Sequence, residues 1–193
     1  MASTATYSQG LIVPTADIDR GFADGTLFGH SAWRLELLDW YTSPATEKRL
    51  ARFLAGEQVT AEERAPWLSM LRRDRDAGKT IGRVHVIREP LTDYLRYELA
   101  CYQSSFAAGE DIRILPADLA AGLDLPGFDF WLFDAGQPGA RVAVNVYGER
   151  GAWLHAEIIT DPGFVADCCR WRDAATSRAI PLDAYQAGRS ATC

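Results

Sequence analysis

The sequence contains no G-x-x-x-x-G-K-[ST] loop, no G-x-G-x-x-G turn and no G-x-S-x-G elbow. The backbone cradles that hold nucleotide phosphates, and the tight turn that exposes a nucleophilic serine, therefore have no basis in it. Its three histidines, His30, His85 and His155, never stand at H-x-x-x-H or H-x-K spacing. Each reads as a structural or surface histidine rather than a metal ligand. The four cysteines lack C-x-x-C spacing, and the adjacent Cys168 and Cys169 would point about 100° apart on a helix. A reduced, unmetallated set is expected, with Cys101 and one of that pair as small buried residues. No metal or nucleotide cofactor is expected.

Positive charge is scarce too. The net charge is -6 and no run of Lys or Arg offsets it, which argues against a phosphate backbone as partner. No apolar run approaches the ~18 to 20 residues of a membrane span, and the opening "MASTATYSQG" has neither the basic start nor the apolar stretch of a secretion signal. A cytoplasmic protein with no membrane and no nucleic-acid partner is expected.

What is present is ordinary globular composition: 193 residues, 48% hydrophobic and 24% charged, enough for one domain with a substantial core. Residues 1–15 read as an N-terminal arm, polar and ended by Pro14, whose Leu11, Ile12 and Val13 are able to dock; 16–193 read as a single domain. "TADIDRGFADG" predicts a short helix stopped at Gly25, and "SAWRLELLDWY" alternates as a strand over 31–38. "PATEKRLARFLAG" and "TAEERAPWLSMLRRDRDAG" predict two helices with Leu50, Phe53 and Leu54, then Trp67, Leu68 and Leu71, facing inward; Pro66 marks the true start of the second. "TIGRVHVIRE", a helix from Thr92 to Gly109 and "EDIRILP" form a β-α-β unit with parallel strands. "FDFWLFD" is a further buried strand, "ARVAVNVYGERGAWLHAEII" a hairpin turning at Gly148 to Gly151, and the stretch after Asp161 a helix with Pro162 at its first position. The expected fold is α/β, one domain with a mixed, partly parallel sheet flanked by helices, closed by a hairpin and a helix.

The polar residues supply the functional reading. On a wheel of 100° per residue, Leu91, Leu95, Leu99, Tyr102 and Phe106 fall within an arc of about 80°, and Glu98 lies about 20° outside it, on the flank of Tyr94. A carboxylate so placed must be paired, hydrogen-bonded or protonated. Arg83 and Arg113 on the neighbouring strands are its expected partners, in a structural pair or in a working site. Asp129 alternates with Trp131 and faces the side opposite Phe130. Glu89 and Asp93 close a strand and open a helix, where open α/β sheets place ligands. Glu110 and Asp111 read as solvated loop charges, Asp134 as a strand terminator, and Arg34, Glu36 and Asp39 as the wet face of a strand.

Two readings of function follow. In the first, a pocket walled by Trp33, Tyr94, Tyr97 and Trp131 serves a small cofactor-independent enzyme doing acid/base chemistry on a small charged, amino-acid-like substrate, such as an intramolecular displacement or cyclisation. Glu98 or Asp129 is then the base, a tyrosine such as Tyr94 the acid, and Arg83, Arg96 or Arg113 the anion clamp. In the second, a non-catalytic ligand-binding or interaction protein docks a partner through Trp40, Trp153 and Trp171.

Taken together, "WRLELLDWY", "RFLAGE", "REPLTDYLRYELA", "AGEDIRIL", "FDFWLFD" and "CRWRDAA", spread over residues 31–185, resemble an uncharacterised actinobacterial family, a domain of unknown function of about this length. The resemblance carries no catalytic residue over. It implies a gene setting beside small helix-turn-helix regulators or within specialised-metabolite clusters, hence either a regulator's partner or a biosynthetic enzyme. The order strand, long helix, "AGEDIRILP", "DFWLFD" and hairpin also resembles a degenerate half of a phospholipase D-type domain. That family's H-x-K is missing, and Asp129, Phe130 and Trp131 stand in its place, so cleavage through a histidine nucleophile is excluded.

Overall fold

A computed structural model describes residues 10–190. Residues 1–9 of the expected arm, and Cys193, lie outside the described residues. The chain forms β1 (Leu11–Pro14), α1 (Thr15–Asp24), β2 (Ser31–Glu36), α2 (Pro44–Leu54), α3 (Ala65–Asp76), β3 (Thr80–Ile87), α4 (Asp93–Ala107) and β4 (Asp111–Pro116). There follow α5 (Ala117–Ala120), β5 (Phe130–Phe133), β6 (Arg141–Tyr147), β7 (Trp153–Ile159), α6 (Pro162–Arg178), β8 (Ile180–Pro181) and α7 (Leu182–Ser190). All eight strands join one sheet in the order β1-β7-β6-β5-β2-β3-β4-β8. Among the described strands β2, β3 and β4 run parallel, and the other strand pairs are antiparallel. This is a single α/β domain with a mixed sheet flanked by helices.

Strand alternation sorts the side chains onto two faces. Leu35, Val84, Phe130, Leu132, Val142 and Val144 point to the back, where α6 covers them with Phe164, Cys168 and Trp171. The front is split. One apolar cluster joins Trp131 and Phe133 to Phe22 of α1 and Leu68 and Leu71 of α3. The other joins Ile112 and Ile114 to Leu95 and Tyr102 of α4. Arg34 and Glu36 stand on the front face of β2, Arg83 and His85 on that of β3, and these polar residues separate the two clusters.

Local chemistry sets the element ends. The hydroxyls of Ser43 and Thr92 accept the Thr46 and Leu95 amides, and the Asp161 carboxylate accepts that of Phe164, capping α2, α4 and α6. A short 3-10 turn, Glu62–Arg64, precedes α3, whose first turn holds Pro66 as expected. Several expectations need correction. Residues 11–14 are not part of a free arm but pair with β7 along the sheet edge. Leu54 and Phe106 are exposed, because their helices turn those positions past the edge of the packed layer. Helices α5 and α7 and strand β8 were not anticipated.

Candidate active site

The register of the central strands assembles the polar band. Arg34 lies beside Arg83 on one side and Trp131 on the other, and Glu36 lies beside His85. Asp129, just ahead of β5, offers its carbonyl to the Asn145 amide of β6 at 2.9 Å. Two residues further along β6, Tyr147 receives a hydrogen bond from Arg34 Nη2 at 2.9 Å. The segment after β2 folds across the strand ends, held to the hairpin turn by Thr42 N–H donating to Gly151 O at 3.2 Å. That contact places Tyr41 over the band. Gly151 sits there at φ 73°, and an added Cβ would come within 2.1 Å of Trp40 O, so only glycine fits.

The centre of the band is an ionic core. Glu36 is 2% exposed; its carboxylate meets Arg34 Nη1 at 3.1 Å and Arg83 Nη1 at 3.0 Å, and accepts from the Tyr102 hydroxyl at 2.8 Å. Burial alone would raise its pKa, but the two guanidinium groups, His85 and the Tyr102 hydrogen bond outweigh it and hold Glu36 well below the usual carboxylate range. Arg83 also donates through Nε to Glu110 Oε1 at 2.6 Å. His85 is fully buried, with Nδ1 2.8 Å from the Tyr102 hydroxyl and Nε2 3.0 Å from Leu38 O. A carbonyl only accepts, so Nε2 carries a hydrogen. Glu36, Arg83, His85 and Tyr102 are each engaged on both sides and serve as scaffold. Arg34 and Glu36 are thus not a wet strand face, and Glu110 is not a solvated loop charge: α3 and α4 pack over the positions where β2 and the start of β4 project them.

Asp129 stands apart from that core. It is 3% exposed; Oδ1 accepts the Leu37 amide at 2.9 Å, and Oδ2 accepts the Tyr41 hydroxyl. Burial is the dominant influence on it. Although Arg34, Tyr41 and the Leu37 amide favour the charged form, the Asp129 pKa is pushed up to about 6. Asp129 lines an open cleft of about 560 Å³ together with Trp40, Asn145, Tyr147 and Gly148. Burial, foremost, raises the pKa of Tyr41 and of Tyr147, so both keep their hydroxyl hydrogens at neutral pH. The cleft thus offers a carboxylate able to take a proton and, from Tyr147, a hydroxyl able to donate one.

The other anticipated residues are dispersed. Tyr94 is buried and donates to Glu98 Oε2 at 3.2 Å, while Glu98 is half-buried on α4. The expected arginine pairing of Glu98 is replaced: Arg83 serves Glu36 and Glu110, and Arg113 bonds Asp111 at the surface. Tyr94 still adjoins the cleft, its ring 6.0 Å from that of Tyr41 and 5.7 Å from that of Trp40. Arg96 and Asp93 pair with each other in solvent, and Glu89 meets Tyr185 and Arg189. Tyr97 packs on Phe53, and Trp33 faces the back of the sheet against Phe130. Trp131 lies beneath Arg34, with the guanidinium 5.4 Å from the indole centroid. Asp134 is more than a terminator: its carboxylate gathers the amides of Gly29, His30 and Ser31 at 2.6 to 3.0 Å. Burial would raise its pKa, but those three amides hold it below the ordinary value.

Sequence reasoning missed Tyr41, Asn145 and Tyr147. For Asn145 a signal existed: in "VAVNVY" one amide interrupts a β-branched run at an inward position. Among the described residues no group of three or more His, Cys, Asp or Glu is arranged to hold a metal ion, and no helix is long and apolar enough to cross a membrane.

Residues 17–187 match the family described as "Domain of unknown function (DUF6879)", and the chain belongs to that family. No curated protein matches the sequence. Among solved structures, polyphosphate kinase from Porphyromonas gingivalis is similar at a TM-score of 0.36 and 13% identity, over 86% of this chain and 22% of that one. The chain spans less than a quarter of that protein's length.

Proposed function

We propose that this family member is a cofactor-independent acid/base enzyme acting on a small polar substrate in the cleft between β5, β6 and the segment after β2. The observation that carries the reading is Asp129: a buried carboxyl whose pKa lies near 6, lining an open cleft beside the Tyr147 hydroxyl. A base working near neutral pH needs such a value, because it must be ionised yet still hold a proton once it has taken one. Asp129 removes the proton from substrate, and the Leu37 amide and Tyr41 hydroxyl fix its orientation. Tyr147, held by Arg34, donates to the oxygen on which charge develops. Proton transfer of this kind contributes about 10² to 10⁴ in rate, so positioning in the cleft supplies much of the rest.

In this reading Asp129 takes the role that the sequence left open between it and Glu98, and the substrate is a charged, amino-acid-like product of actinobacterial specialised metabolism handled in the cytoplasm. The phospholipase D-type order of strands is then an architectural likeness without that family's chemistry. A docking role through surface tryptophans has little support, since all six are buried or half-buried and Trp171 lies in the core.

The test is proton exchange. Amino acids and their cyclic and acylated derivatives are incubated with the protein in D₂O, and loss of the C–H signal is followed by NMR. Exchange that rises with pH through about 6 and disappears in Asp129→Asn is expected. Absence of exchange across the set, or full exchange by the variant, overturns the assignment.

A further inference from the structure

On the other side of Asn145 lies a second cavity of about 220 Å³, between the front of β2, β3 and β6 and helices α1 and α3. Its walls are flat and aromatic: Phe22, Trp67, Trp131 and Trp153. Phe22 packs at 5.6 Å from Trp67 and 4.9 Å from Trp131, ring to ring, so the walls hold one another in place. Arg34, Arg64 and Arg83 also line it.

Residues that line this cavity carry unspent hydrogen-bonding capacity. Asn145 is 4% exposed, yet neither its side-chain nitrogen nor its oxygen has a partner among the described residues. The same holds for Arg34 Nε and Trp67 Nε1. Buried polar atoms without partners are rare, and each one costs free energy unless something satisfies it. Four such atoms on residues lining one cavity amount to three donor nitrogens and one carbonyl acceptor.

Charge narrows the class of ligand. Arg83 is engaged by Glu36 and Glu110, and Arg64 bonds Ser104 Oγ at 3.0 Å as well as Cys101 O. Arg34 gives Nη1 to Glu36 and Nη2 to Tyr147. Its guanidinium is therefore fixed, with one edge left to offer. Asp19 stands at the rim as an opposing carboxylate. Such balanced surroundings suit a single negative charge and disfavour a dianion, and indole walls suit a planar body over a hydrated tetrahedral one.

We infer that this cavity binds a small planar monocarboxylate carrying an N–H or O–H donor beside its carboxyl group. The carboxylate accepts hydrogen bonds from Arg34 Nε–H, Trp67 Nε1–H and Asn145 Nδ2–H. The neighbouring donor is read by Asn145 Oδ1, and the ring lies against the aromatic walls, edge-on to Trp67. This binding stands whether or not Asp129 is catalytic.

Two probes of matched shape separate the donor from the rest. Pyrrole-2-carboxylate has the N–H; furan-2-carboxylate has a ring oxygen in its place. By calorimetry on the full chain, pyrrole-2-carboxylate is expected to bind one to one and at least about tenfold more tightly than the furan acid, because the latter leaves Asn145 Oδ1 unpaired. Asn145→Leu, of similar volume, should abolish that preference while the fold survives. Trp67→Phe, which keeps a wall and removes one donor, should weaken both acids several-fold and provides a second reading if the first variant misfolds. Asp129→Asn should bind pyrrole-2-carboxylate as the parent does, so failure of the acid/base reading and failure of this one are told apart. No saturable binding, equal binding of the two acids, inorganic phosphate binding more tightly than either, or undiminished binding by both cavity variants would each overturn the inference.

Discussion

Replacing Asp129 by asparagine should make the protein about 2 kcal/mol more stable at pH 7.5 and about 1 kcal/mol less stable at pH 4. The Asp129 carboxyl rises from an ordinary 3.8 to about 6 in the folded chain. Because the folded value is the higher one, the neutral acid is the form that the fold prefers. Its contribution is complete below about pH 4 and is lost as pH climbs through about 6. A difference of roughly two units at 1.36 kcal/mol each makes the buried charge cost about 3 kcal/mol above that range. Asparagine has nearly the same shape, keeps an acceptor for the Leu37 amide and never ionises. Part of the gain is offset by a poorer bond to Tyr41, about 1 kcal/mol at every pH. The assay is urea denaturation of both proteins from pH 4 to 8, taking the difference of the two curves. Glu36 and Asp134, whose carboxyls are lowered in the fold, lose stability in the opposite direction as pH falls, but they do so in both proteins and cancel. A difference that stays flat, or a variant that weakens relative to the parent as pH rises, would refute the reasoning.

Three further changes probe the framework around the cleft. Arg83→Leu strips Glu36 and Glu110 of their shared partner and should cost about 3 to 5 kcal/mol by urea denaturation, far more than loss of a surface arginine; a cost below about 1 kcal/mol would show that the pairs are solvated. Tyr102→Phe removes the hydroxyl between Glu36 and His85 and should cost about 1 to 3 kcal/mol with the helix content by circular dichroism unchanged; a neutral result would mean that water takes its place. Gly151→Ala forces a side chain onto a left-handed residue against Trp40 O, and a loss of more than about 2 kcal/mol is expected in thermal denaturation, with none at the exposed Gly122, whose backbone is not left-handed and where nothing lies nearby.

The elements with strong periodicity were legible in the sequence because local pattern determines them: the alternating "TIGRVHVI", the stripe of α4 and the hairpin around Gly148 to Gly151 need no distant information. The four-residue α5 and two-residue β8 are too short to leave a period. The edge strand β1 read as part of an arm, because two of its apolar residues, Leu11 and Ile12, face solvent and only pairing with β7 defines it. At the site, Asp129 was legible from its alternation with Phe130. Arg34 and Glu36 were misread for a physical reason: alternating charge on a strand usually marks its wet face, and only the packing of α3 and α4 turns this one inward. Glu110 was misread likewise, because its pairing with Arg83 depends on which strands become neighbours across 27 residues of chain.

The central claim is that a carboxyl group at the cleft gains and loses its proton near neutral pH. Carbon-13 NMR titration of the aspartate side-chain carboxyls, with the Asp129 resonance assigned by its absence in Asp129→Asn, measures this directly. A midpoint close to 6 is expected for that resonance. A midpoint at or below about 4, the value of an unperturbed aspartate, would contradict the account.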